Sequence, residues 1–72
     1  MDNKFKAQLI DMLTASAKAE KSKALLTLEL LANHPAGIGD HSTDDFYKNA
    51  EEALGALADA DDKLEAIQKY LI

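Results

Sequence analysis

The residues best suited to chemistry are two histidines and an aspartate within ten positions, Asn33-His34-Pro35-Ala36-Gly37-Ile38-Gly39-Asp40-His41-Ser42. Imidazole and carboxylate both ligate divalent metals, so His34, Asp40 and His41 form a candidate set. No fourth fixed ligand and no zinc-type spacing accompanies them, and solvent-exposed loop histidines account for the pattern without an ion. A metal- or small-ligand-binding loop is therefore the alternative reading, with no metal or cofactor assigned. Histidines beside aspartates also change charge near neutrality, which would suit a pH-sensitive contact. Gly37-Ile38-Gly39 ahead of a helix start has the outline of a phosphate-binding turn. However, no strand precedes it, Ser42 replaces the third glycine of the dinucleotide pattern, and Asp40, Asp44 and Asp45 would oppose an anion.

Nucleophilic catalysis lacks its partners. Thr14, Ser16, Ser22 and Thr27 lie in a helical segment without a histidine, and Ser42 beside His41 is a sequence-neighbour pair that rarely gives triad geometry. Glu51-Glu52 and Asp61-Asp62 are adjacent pairs, which a helix turns to different sides. A Glu-x-x-His di-iron pattern is absent, because neither histidine falls in a helical segment. The residues point away from an enzyme and name no catalytic residue.

The elements that must carry this loop are two long arms. The first, from about residue 3 to 32, has two apolar stripes at helical spacing. One runs through Phe5, Leu9, Met12, Ala19, Leu26 and Leu30, the other through Ile10, Leu13, Ala17, Ala24, Leu28 and Leu31. Together they cover more than the narrow seam that one partner helix buries. The run Thr14-Ala15-Ser16-Ala17-Lys18-Ala19 is small apart from one lysine, so a neighbouring helix can approach closely there. The second arm, from about 43 to 71, repeats Phe46, Ala50, Ala53, Leu57, Ala60, Leu64, Ile67 and Leu71 at steps of four and three, a heptad seam that Leu54 is expected to widen. No alternation of period two competes with it. Gly55 lies off the seam and should not interrupt the helix.

Local chemistry predicts the connection over residues 33–42. Pro35 stops the first helix and pushes His34 out of helical conformation. Gly37 and Gly39 suit a tight reversal, and Ser42 suits the N-cap of the second helix with Asp45 three positions on. Asp2 or Asn3 can cap the first helix. Arms of matched length joined by a short loop fold back on one another, so the expected architecture is all-α, a single-domain antiparallel helical hairpin. The surplus stripe predicts self-association as a homodimer or higher oligomer, most simply two hairpins in a four-helix bundle. His34, Ile38 and His41 remain as candidate partner contacts.

Charge and composition bound the partners. Residues 1–32 carry five lysines against four carboxylates, while residues 42–72 carry three lysines against eight, within an overall charge of −5. An acidic surface without arginine repels a phosphate backbone and lacks the bidentate donors that read it, which argues against nucleic acid. There is no cysteine, so disulfides and thiolate metal sites are excluded. The start Met1-Asp2-Asn3-Lys4-Phe5 lacks the features of a secretory signal, and no apolar run approaches the ~20 residues of a membrane span. The expectation is a soluble cytoplasmic protein that does not engage a membrane.

The segment Asn33 to His41, followed by an acidic helix ending Asp61-Asp62-Lys63-Leu64-Glu65-Ala66-Ile67-Gln68-Lys69-Tyr70, resembles a group of small uncharacterised proteins of marine T4-like bacteriophages and ocean-virus metagenomes. The resemblance covers the second half of the chain, and Pro-x-Gly-Ile-Gly-Asp-His is its most specific element. It implies a phage accessory protein in the cytoplasm of a bacterial host, with an unknown host or phage protein as partner, and brings no site residues. The leading expectation is a non-enzymatic, self-associating helical interaction module.

Overall fold

The computed structural model describes the backbone of residues 3–33 and 43–72 and the side chains of residues 4–33 and 45–72. Two helices, α1 (Asn3–Asn33) and α2 (Thr43–Ala66), pack against each other as an antiparallel hairpin, and α2 continues into a π-helical turn at Ile67–Leu71. The expected Pro35, Gly37, Gly39 and Ser42 roles, and the Asp2 or Asn3 cap, lie outside the described residues.

α1 forms because nothing in it interrupts a helix. It contains neither glycine nor proline, and only Ile10, Thr14 and Thr27 are β-branched. Asn33 belongs to its last turn, where its side-chain amide donates to the Glu29 carbonyl at 2.9 Å. Thr27 makes the same kind of back-bond, its hydroxyl donating to the Lys23 carbonyl at 2.9 Å. In α2 the alanine-rich heptad carries the helix through Gly55.

The seam is built largely from alanine. Ala17, Ala24 and Leu31 of α1 and Ala53, Ala60 and Ile67 of this second arm are the buried apolar residues among those described. Ala60 is completely enclosed. Ile10, Leu13, Leu28, Phe46, Ala50, Leu57 and Leu64 are half-buried along its margins. Small side chains let helix axes approach toward the lower end of the usual ~8–10 Å.

Two ion pairs mark the register. The Lys63 Nζ lies 3.0 Å from Glu20 Oε1, and the Lys21 Nζ lies 2.9 Å from Asp61 Oδ1. Counting along antiparallel helices from these pairs sets Ala24 level with Ala60, Ala17 with Ile67 and Leu31 with Ala53. A small side chain thus stands opposite a large one toward both ends, and small opposite small at the middle. The same count brings Ile72 level with about Ile10 to Leu13, so roughly the first two turns of α1 run past the end of α2.

Two seam expectations need correction. Leu54 does not widen the seam: it is 58% exposed and lies on the flank. Leu71 also leaves it, because Ile72 N–H donates to the Ile67 carbonyl at 3.2 Å. That five-residue bond turns each residue through less than the α-helical 100°, so the heptad's last step falls short of the seam.

The result is a rod of 56 × 16 × 14 Å whose radius of gyration, 16.4 Å, exceeds the ~11 Å of a compact chain of this length. A rod of two helices leaves the outer faces of both in solvent.

Two substitutions probe this packing. Ala60→Leu forces four-carbon bulk into the closest point of the seam and should cost about 1–3 kcal/mol, read by thermal unfolding followed by circular dichroism. Gly55→Ala should have the opposite sign. A Cβ there would meet nothing within 4 Å, so the gain is helix propensity, about 0.5–1 kcal/mol and a rise of several degrees in Tm.

Candidate interaction surface

The seam uses only one of the two apolar stripes of α1. Ile10, Leu13, Ala17, Ala24, Leu28 and Leu31 face α2, and the other stripe remains outside. Phe5 is 73% exposed, Leu26 65% and Leu30 60%, with Leu9 and Met12 also more than half exposed. Ser16, Ala19 and Lys23 fill the intervening helical steps, and they too are exposed. This row lies roughly 120° around α1 from the buried face, as the 100° rotation per residue requires. The overhanging first turns carry Phe5 and Leu9 beyond the reach of α2.

On the same flank, a groove of about 680 Å³ runs between the helices. Ala24, Leu31, Ala53 and Ala56 are its apolar lining, and its depth follows from the three alanines, where a larger side chain would fill it. Leu30 joins the groove to the exposed row. Glu20, Lys23, Glu52, Asp59 and Lys63 line its polar edges. These are the side chains of an open, solvated furrow, and no buried polar atom among the described residues lacks a partner.

The opposite flank has its own apolar residues, of which Leu25 and Tyr47 belong to neither stripe of α1 nor the seam of α2. Leu25 is 47% exposed and Tyr47 58%, and both belong with Leu54 on the side of the Lys21–Asp61 pair. Tyr47 packs edge-on against Phe46, with ring centroids 5.9 Å apart. Tyr70, 73% exposed, has the Lys69 Nζ 5.3 Å from its ring centroid.

His34, Ile38, Asp40 and His41, the sequence-based candidates for partner or metal contact, lie outside the described residues. Among the described residues, no group of three or more histidine, cysteine or carboxylate side chains is placed to hold a metal. Likewise, among these residues no helix is long and apolar enough to cross a membrane.

The two interhelical ion pairs are the other feature that composition did not reveal. Glu20 and Lys21 are neighbours, yet they reach Lys63 and Asp61 on either side of the seam because adjacent helical residues diverge by about 100°. Lys63 is held by both Glu20 carboxylate oxygens, at 3.0 and 3.4 Å. Their side chains are 41–58% exposed, so water screens both pairs. Lys21→Ala or Lys63→Ala should each cost no more than about 1 kcal/mol, with the loss shrinking in high salt. Urea unfolding at two ionic strengths checks this. No protein-family model, curated protein or solved structure matches the chain.

Proposed function

We propose that this protein is a non-enzymatic interaction module whose hairpins associate with one another, two copies forming a four-helix assembly through the uncovered row of α1. One observation carries the reading: the fully buried part of the hairpin is mainly alanine, and a whole row of larger apolar side chains on α1 stays outside. Among the described residues, four of the six that are buried are alanines, while Phe5, Leu9, Met12, Leu26 and Leu30 stay in solvent. Each fully buried Leu or Phe is worth about 1.5–3 kcal/mol, several times an alanine methyl, so the five exposed side chains of the row leave a large hydrophobic free energy unrealised in one hairpin. Chains of this size commonly recover it by oligomerisation. The resemblance to small bacteriophage proteins favours an accessory role in a bacterial host, with the acidic second arm and the connecting loop left to meet a host or phage protein.

Sedimentation equilibrium at micromolar concentration tests the assembly. The expected mass is a multiple of the 7.8 kDa chain, most simply twice it. A stable monomer throughout that range would overturn the proposal. Leu26→Glu should weaken association about a hundredfold or more, because a symmetric dimer loses the leucine twice. The same substitution on an uncovered surface would change little.

A further inference from the structure

Resting on that reading of self-association, we infer that the second copy docks through α1 itself, antiparallel, in one register centred between Ala17 and Lys18. The exposed row advances by four and three residues alternately from Phe5 to Leu30, the spacing of a second coiled-coil seam. A two-fold interface requires that if one residue meets another, the second also meets the first. In this register Phe5 meets the partner's Leu30, and Leu9 meets the partner's Leu26. Ser16 meets the partner's Ala19 at the axis, where small side chains let the two helices approach most closely. Large residues are thus paired with large and small with small, along a helix whose other face is already occupied by α2.

Lys23 decides the direction. Parallel pairing in register would set it against the partner's Lys23 inside the seam, where like charges repel. Antiparallel pairing sets it against the partner's Met12 instead, so its aliphatic stem packs on the thioether while the ammonium reaches water. The charge of the arms also favours α1 as the shared element. Residues 1–32 are nearly balanced, whereas residues 42–72 carry eight carboxylates against three lysines and would repel their own copy. The area suffices: five half-to-mostly exposed large side chains offer about 600 Å² per chain, and two copies together remove about 1,200 Å² from water, within the range of specific interfaces. The assembly then has the two α1 helices at its centre and the acidic α2 helices outside.

The chain has no cysteine, so single cysteines can report the register. Gln8 and Glu29 are exposed and flank the row, and antiparallel pairing brings Gln8 beside the partner's Glu29 while holding identical sites about 30 Å apart. Q8C and E29C are refolded separately and as a mixture, then treated with a short bismaleimide, with sedimentation on each sample. The expected result is a cross-linked dimer in the mixture alone. Cross-linking of Q8C to itself and E29C to itself would overturn the antiparallel register while leaving self-association standing. A dimer by sedimentation with no cross-link in any sample would place the contact on another surface and overturn the inference equally. A monomer in every sample would remove the proposed self-association as well.

Discussion

The close approach of two helices on alanine is the constraint from which the other features follow. At Ala24 and Ala60 neither helix presents a side chain larger than a methyl, and Ala60 is fully enclosed. Packing at that distance is sterically demanding, since interiors close-packed around a methyl have no room for added carbons. It is also energetically modest, because a methyl removes little apolar surface from water. The seam therefore specifies a geometry more strongly than it stabilises one. Fully buried large side chains enter only toward its ends, where Leu31 and Ile67 stand level with Ala53 and Ala17, while Leu28, Leu57 and Leu64 are half-buried at its sides.

That economy inside explains the surplus outside. A helix that spends one face on alanine contacts still carries leucine, methionine and phenylalanine elsewhere, and α1 puts them on a second face in a second heptad register. The overhang of its first turns adds to this, since Phe5 and Leu9 have no α2 residue level with them. A single hairpin is consequently an elongated object, and the row on α1 is the part of it most in need of cover. The groove beside Leu30 is a by-product of the same small residues. Its charged margins suit water better than an apolar ligand.

Electrostatics divides the two helices by role. α1 is nearly neutral and can lie against its own copy, whereas α2 is strongly acidic and is better placed outermost. Lys21 and Lys63 tie opposite flanks of the hairpin across the seam. Their exposure makes them markers of register more than sources of stability.

The sequence by itself determined the helical class, the helices of the hairpin and the residues of both apolar stripes, because 3.6-residue periodicity and the clustering of proline and glycine are local properties of the chain. It also separated the neutral arm from the acidic one. What it left open was which stripe of α1 would meet α2. Both stripes have helical spacing and similar apolar content, so only the fit of Ala17, Ala24 and Leu31 against Ile67, Ala60 and Ala53 selects one and leaves Phe5, Leu9, Met12, Leu26 and Leu30 outside. The same non-local fit fixed the stagger, brought Glu20 to Lys63 and Lys21 to Asp61, and turned Leu54 and Leu71 out of the seam that periodicity had assigned to them. Those outcomes depend on the distance between two helices, a quantity that no single segment of sequence contains.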